Sequence, residues 1–321
     1  MSSEGRTAPE EPEVGELAPA GNQVVGSTPL VILRSDSTGG PTLYVKLENQ
    51  NPSGSVRDRY MEQILLQLSG SGQMLRGDVI GIAGATDATL SACCLAVRFG
   101  VGVEVFVPEG ASLRLIPLIE LYGGRVTWTE EKYGVPGAIE RAAKWARQSS
   151  NRHYIDGFRR EAVRGSYAKI VDEILEELGS RRLLGLVTSM TSGATYRRLS
   201  EVLSTRCPGV QLRGTILREN RHRTVKADDF TESVREFPLA AAWPVRDEFA
   251  RTTGLLLGPK GALCVLVARQ LREEMSEDGA LVIINPDAGQ RYLGWEDRIL
   301  GEGLSETSTN FPNESRKENE K

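Results

Sequence analysis

The stretch Leu43-Tyr-Val-Lys-Leu-Glu-Asn-Gln-Asn-Pro-Ser-Gly-Ser-Val-Arg-Asp-Arg59 holds the decisive transition of this sequence. Leu43 to Leu47 reads as a strand, rich in apolar and aromatic residues. Asn51-Pro-Ser-Gly54 is a cluster of turn residues. Ser55 is placed to N-cap a helix. The apolar residues that follow, Val56, Tyr60, Met61, Ile64, Leu65 and Leu68, recur at close to the helical period. Strand, turn and helix in this order make one α/β unit.

The same unit repeats outward. Asp78–Ala83, Val103–Val107, Arg125–Trp128, Leu183–Val187, Val210–Leu217 and Ala280–Ile284 are apolar runs of strand length. Between them the pattern predicts helices over Ala88–Phe99, Leu113–Tyr122 (stopped by Gly123-Gly124), Pro136–Gln148, Ala162–Leu178, Ala194–Leu203, Val245–Thr252 and Ala262–Met275. Such alternation implies an α/β fold with parallel sheets covered on both faces. The segments 1–22 and 303–321 are polar and charged, and they read as disordered tails around a folded segment 23–302.

Composition narrows the function. The chain has 321 residues, 40% hydrophobic and 26% charged, as a globular protein should. Met1–Asn22 carries five Glu against one Arg, a net of −4, which equals the formal charge of the whole chain. The folded part is therefore near neutral and offers no broad basic field for nucleic acid. No apolar run has the ~20 residues of a membrane span, and the N-terminus has no signal-peptide core, so the expected location is the cytoplasm. Cys93, Cys94, Cys207 and Cys264 form no C-x-x-C pair, and with only two histidines no metal site is expected. The basic run around Arg218, Arg221, His222, Arg223 and Lys226 reads as a solvated loop, with an acidic partner or phosphorylated ligand as the alternative.

Five segments together carry a family resemblance: Gly26-Ser-Thr-Pro-Leu30, Lys46-Leu-Glu48, Asn51–Arg59, Leu118-Ile-Glu-Leu-Tyr-Gly-Gly124 and Pro286-Asp-Ala-Gly-Gln-Arg-Tyr-Leu293. In order and spacing they resemble the cysteine synthase and cystathionine β-synthase family of pyridoxal-phosphate (PLP) enzymes. The longest, Asn51–Arg59, is similar to that family's N-P-[ST]-G-S-x-K-D-R. The resemblance implies fold-type II: two three-layer α/β domains with PLP in the cleft between them, usually as a homodimer. The small domain would be inserted at about residues 55–160, and the large domain would come from the remainder.

The resemblance also locates the cofactor site, and there the chain departs from the pattern. Arg57 stands where the family carries its Schiff-base lysine. A guanidinium stays protonated and forms no comparable imine. The family's substrate loop falls on Gly84, Ala85, Thr86, Asp87, Ala88 and Thr89, with Asp87 replacing an asparagine. Its glycine-rich phosphate loop falls on Ser189-Met-Thr-Ser-Gly-Ala-Thr195. Of the loop's glycines only Gly193 remains, with Thr191, Ser192, Ala194 and Thr195 around it. Pro259 replaces the serine that binds the pyridine nitrogen.

Four altered contacts on a kept scaffold imply a non-catalytic, cysteine synthase-like protein that needs no cofactor. It would act as a binding or regulatory subunit, as a homodimer or as a heteromer with an active paralogue. Two alternatives stay open. One is a PLP-dependent transferase or lyase acting at the β-carbon of an activated serine, with a relocated lysine such as Lys260 or non-covalent PLP. The other is a sensor of a small anionic metabolite. Arg57 is expected to pair with a carboxylate such as Asp87, with an anion clamp as the alternative. Lys260, between Pro259 and Gly261, is read as an exposed turn lysine, and Lys46 as structural. Arg197 and Arg198 are read as a polar helix face, and Trp128, Trp145, Trp243 and Trp295 as core or interface residues.

Overall fold

A computed structural model of the chain describes residues 25–33, 39–156, 163–191, 193–218 and 233–294. Both expected tails, Ser192, Arg221, His222, Arg223, Lys226 and Trp295 lie outside the described residues, as does the side chain of Ala194.

Two sheets organise the fold. After β1 (Leu30–Leu33) and β2 (Thr42–Leu47), the chain enters α1 (Asp58–Gly70). It then builds β3 (Val79–Ala83), α2 (Asp87–Phe99), β4 (Gly102–Pro108), α3 (Ile116–Leu121), β5 (Gly124–Thr129), α4 (Gly134–Ala146) and β6 (Arg152–Tyr154). Strands β3 to β6 form a four-stranded sheet, ordered β5-β4-β3-β6 and parallel throughout.

The chain then returns through α5 (Val163–Ser166), α6 (Ala168–Leu178), β7 (Leu183–Met190), α7 (Ala194–Arg206), β8 (Gln211–Leu217) and β9 (Val234–Phe237). It ends with α8 (Ala242–Thr253), α9 (Pro259–Glu273) and β10 (Ala280–Asn285). The six-stranded sheet runs β1-β2-β10-β7-β8-β9. Its strands are parallel except at the β1 edge, which pairs antiparallel to β2. All of β10 is buried, as a central parallel strand between two helical layers must be.

Some local expectations need correction. Ser55 does not cap α1: the helix begins three residues later, and Ser55 instead forms a bridge to Asp287. The single helix expected up to Leu178 is divided at Tyr167, whose side chain is fully buried. Trp128 is 41% exposed on β5 and so is not a core residue. Trp145 meets Phe106 edge-on at 5.6 Å.

A buried charge network fixes α1 to β2 and α6. Arg59 Nε and Nη2 donate to both carboxylate oxygens of Glu48, at 2.6 and 2.7 Å. Arg59 Nη1 and Nη2 donate to Glu173 at 2.7 and 2.8 Å. Lys46, fully buried, pairs with Glu173 at 3.0 Å and Glu177 at 2.6 Å, and it also donates to the Thr28 carbonyl. Lys46 is thus structural.

Candidate functional site

One cleft gathers residues from the ends of several elements. It is lined by Ser55, Val56, Arg57, Asp87, Ile170, Thr188, Ser189, Thr191, Thr195, Lys260, Ile284 and Pro286, and encloses about 400 Å³ including open solvent at its mouth. Arg57 precedes α1, Asp87 opens α2, Thr195 lies in the first turn of α7 and Lys260 in that of α9. Four helix N-termini therefore turn toward one space, each contributing partial positive charge.

The charges do not pair as the sequence alone implies. Asp87 does not bond Arg57. It accepts from Lys260 Nζ at 3.3 Å and from Arg291 Nη1 at 3.0 Å. Lys260 also reaches Asp287 at 3.4 Å, and its side chain is only 21% exposed. The expectation of an exposed turn lysine is therefore wrong. Pro259 occupies the first turn of α9, where its missing N–H costs nothing, and this carries the next residue into the cleft. Tyr292 donates its hydroxyl to Asp287 at 2.5 Å, and Arg114 stacks over the Tyr292 ring at 4.3 Å.

Burial pushes Asp87 up, but Lys260, Arg114, Arg291 and Arg57 together hold its carboxyl well below the usual range. Burial opposes the charge on Lys260, yet Asp287 and Asp87 raise its pKa above the ordinary lysine value. Lys260 is therefore a firmly held ammonium. Arg57 has one side-chain hydrogen bond, a long 3.4 Å contact from Nη1 to the Tyr167 hydroxyl, and no ion pair among the described residues.

Other expected site residues lie apart. Gly84, Ala85, Thr86 and Ala88 do not line the cleft. Thr86 accepts from the Thr89 backbone N–H as the cap of α2, and Thr89 donates its hydroxyl to the Gly84 carbonyl. This loop spends its hydroxyls on itself. Gly193 precedes α7 with a left-handed φ of 73°. Pro259 is buried and is not part of the lining. The residues that sequence reasoning missed are Arg114, Tyr167, Asp287 and Arg291. Asp287 and Arg291 sit inside a quoted motif, which gave their position; their partners lie too far away in sequence to be read.

The comparisons with known proteins agree with this architecture. The family model described as "Pyridoxal-phosphate dependent enzyme" matches residues 22–216. The chain belongs to that family. A probable cysteine synthase of Bacillus subtilis (strain 168) is 25% identical over 294 residues, covering 84% of this chain and 94% of the relative. The O-acetylserine dependent cystathionine beta-synthase of the same organism is 24% identical over 290 residues, with the same coverage. Among solved structures, O-ureido-L-serine synthase superposes with a TM-score of 0.75 at 22% identity, covering 88% of this chain and 95% of its own. The cysteine synthase of Entamoeba histolytica gives 0.74 at 20% identity, covering 96% of each chain. At these identities the structures show the fold, which is that of a fold-type II PLP enzyme.

Proposed function

We propose that this chain is a non-catalytic member of the family, a binding or regulatory subunit built on the cysteine synthase scaffold. The carrying observation is the absence of a usable amine among the residues lining the cleft. A covalently held PLP needs a neutral lysine. The motif position holds Arg57, and the only lysine of the lining, Lys260, is a cation between two carboxylates. These residues do not fit a lysine-bound PLP, and no reaction step is assigned to it. A homodimer, or a heteromer with an active paralogue, is the assembly this reading favours.

The test is an absorption spectrum of the purified protein after incubation with PLP, followed by borohydride reduction and peptide mass mapping. The expected result is no visible band and no pyridoxyl-lysine. A labelled lysine in stoichiometric yield would overturn the reading. An Arg57→Lys variant is expected to stay colourless and inactive, because Asp87 and Pro259 still differ from the family pattern. The second reading, a PLP-dependent transferase or lyase acting at the β-carbon of an activated serine, draws on one observation: Lys260 lines the same cleft as Arg57. It predicts the label on Lys260.

A further inference from the structure

Arg57 stands out among the charged residues that line the cleft, since the other two, Asp87 and Lys260, are paired with each other. Its guanidinium has five N–H donors, of which one makes the long contact to Tyr167. Asp87, the carboxylate of the lining, is already engaged by Lys260 and Arg291. None of the Arg57 nitrogens is among the buried side-chain atoms that lack a partner, so its spare donors are open to the cleft. Burial disfavours its charge, but a guanidinium stays protonated at any working pH, and Asp87 nearby favours the cation.

The surroundings favour an anion. Five hydroxyl residues line the cleft: Ser55, Thr188, Ser189, Thr191 and Thr195. Thr195 belongs to the first turn of α7, a helix of 13 residues whose leading N–H groups have no partner within the helix. The charges acting on Asp87 are Arg57, Arg114, Lys260 and Arg291. Against these four cations stand Asp87, Asp287, which pairs with Lys260, and the buried Asp58, which acts on Arg291; one positive charge is left over. Val56, Ile170, Ile284 and Pro286 supply apolar walls.

We infer that the cleft binds a compact oxyanion, a phosphate or carboxylate group, seated on the Arg57 guanidinium and facing the hydroxyls at the start of α7. The inference rests on the reading of this chain as a binding protein and names the chemistry of what it binds. The guanidinium fork matches two oxygens of either group, which an ammonium does not.

The full chain is titrated at low ionic strength with potassium phosphate, potassium sulfate and potassium succinate. Potassium chloride at matched ionic strength is the control, and thermal shift and calorimetry are the readouts. Saturable stabilisation by at least one oxyanion, absent with chloride, is expected; the order of the three separates phosphate-type from carboxylate ligands. Arg57→Met should weaken that binding at least tenfold, while Arg181→Met, an exposed arginine outside the lining, should leave it unchanged. Should Arg57→Met fail to fold, Thr195→Val is the second variant, with an expected several-fold loss. No saturable binding of any oxyanion, or undiminished binding in the folded variants, would overturn the inference. Those outcomes leave the non-catalytic reading standing, whereas a pyridoxyl-lysine overturns that reading by itself.

Discussion

Replacing Arg59 by methionine keeps much of its side-chain length and removes its charge. The arginine donates two hydrogen bonds to Glu48 and two to Glu173, all between 2.6 and 2.8 Å. Glu48 is fully buried, and in the variant its charge would face only Thr28 and Asn51 as donors. Removing one partner of a buried ion pair costs about 3–5 kcal/mol, because the remaining charge stays buried without compensation. That is a large share of the ~5–15 kcal/mol that holds a domain folded. At about 2 °C per kcal/mol, the melting temperature should fall by roughly 6–10 °C. Acid titration gives a second readout. Burial pushes Glu173 up, but Arg59 and then Lys46 outweigh it and hold its pKa at about 2, against an ordinary 4.5. A depressed carboxylate contributes stability above its unfolded pKa and loses it as pH falls from about 4.5 towards 2. In Arg59→Met the slope of stability against pH in that window should shrink by at most about 1.4 kcal/mol per pH unit, and by less because Glu173 is 19% exposed. A loss under about 1 kcal/mol with an unchanged acid slope would refute the reasoning, since the network would then be no stronger than a surface ion pair.

Three further outcomes follow from the same geometry. Asp87→Asn removes the carboxylate shared by Lys260 and Arg291, so phosphate binding should strengthen several-fold while the melting temperature drops; weaker binding in calorimetry would contradict the charge count. In Gly258→Ala the new methyl group would land on Asp287 Oδ1, costing about 1–3 kcal/mol in urea unfolding, whereas Gly70→Ala, in open space on α1, should gain up to ~1 kcal/mol. Burial raises the thiol pKa of Cys94 to about 11 and of Cys93 and Cys264 to about 12. At pH 8 these three should be almost entirely protonated, about one part in a thousand thiolate or less, and react slowly with a disulfide reagent until the protein unfolds.

The central strands were legible because β3, β4, β7, β8 and β10 must be apolar to sit between helical layers. The edge strands β1, β6 and β9 were not, since each has three or four residues, mostly half-buried, and is defined by pairing with a neighbour rather than by its own pattern. The cleft was legible in part. Asn51–Arg59 located Arg57, and the family resemblance placed the substrate loop on Asp87. Their partners were not legible, because Lys260 and Arg291 lie 173 and 204 residues beyond Asp87. For Lys260 a usable signal was present: Gly258-Pro259 is a good start for a helix as well as a turn, and a helix places the following side chain toward its N-terminal end. The apolar pattern of this helix starts later, at Ala262, and so does not reach its first turn.

The position of Asp87 has a consequence for exchange of any ligand. It is an anion permanently attached to the cleft, bonded to two of the four cations that act on it. Asp87 does not bond Arg57, so it leaves the seat of an incoming oxyanion open; it stands beside that seat as a fixed negative charge that cannot diffuse away and weakens the binding. Such a cleft exchanges its ligand readily and reports on a concentration range, where an empty cationic pocket would fill and stay filled.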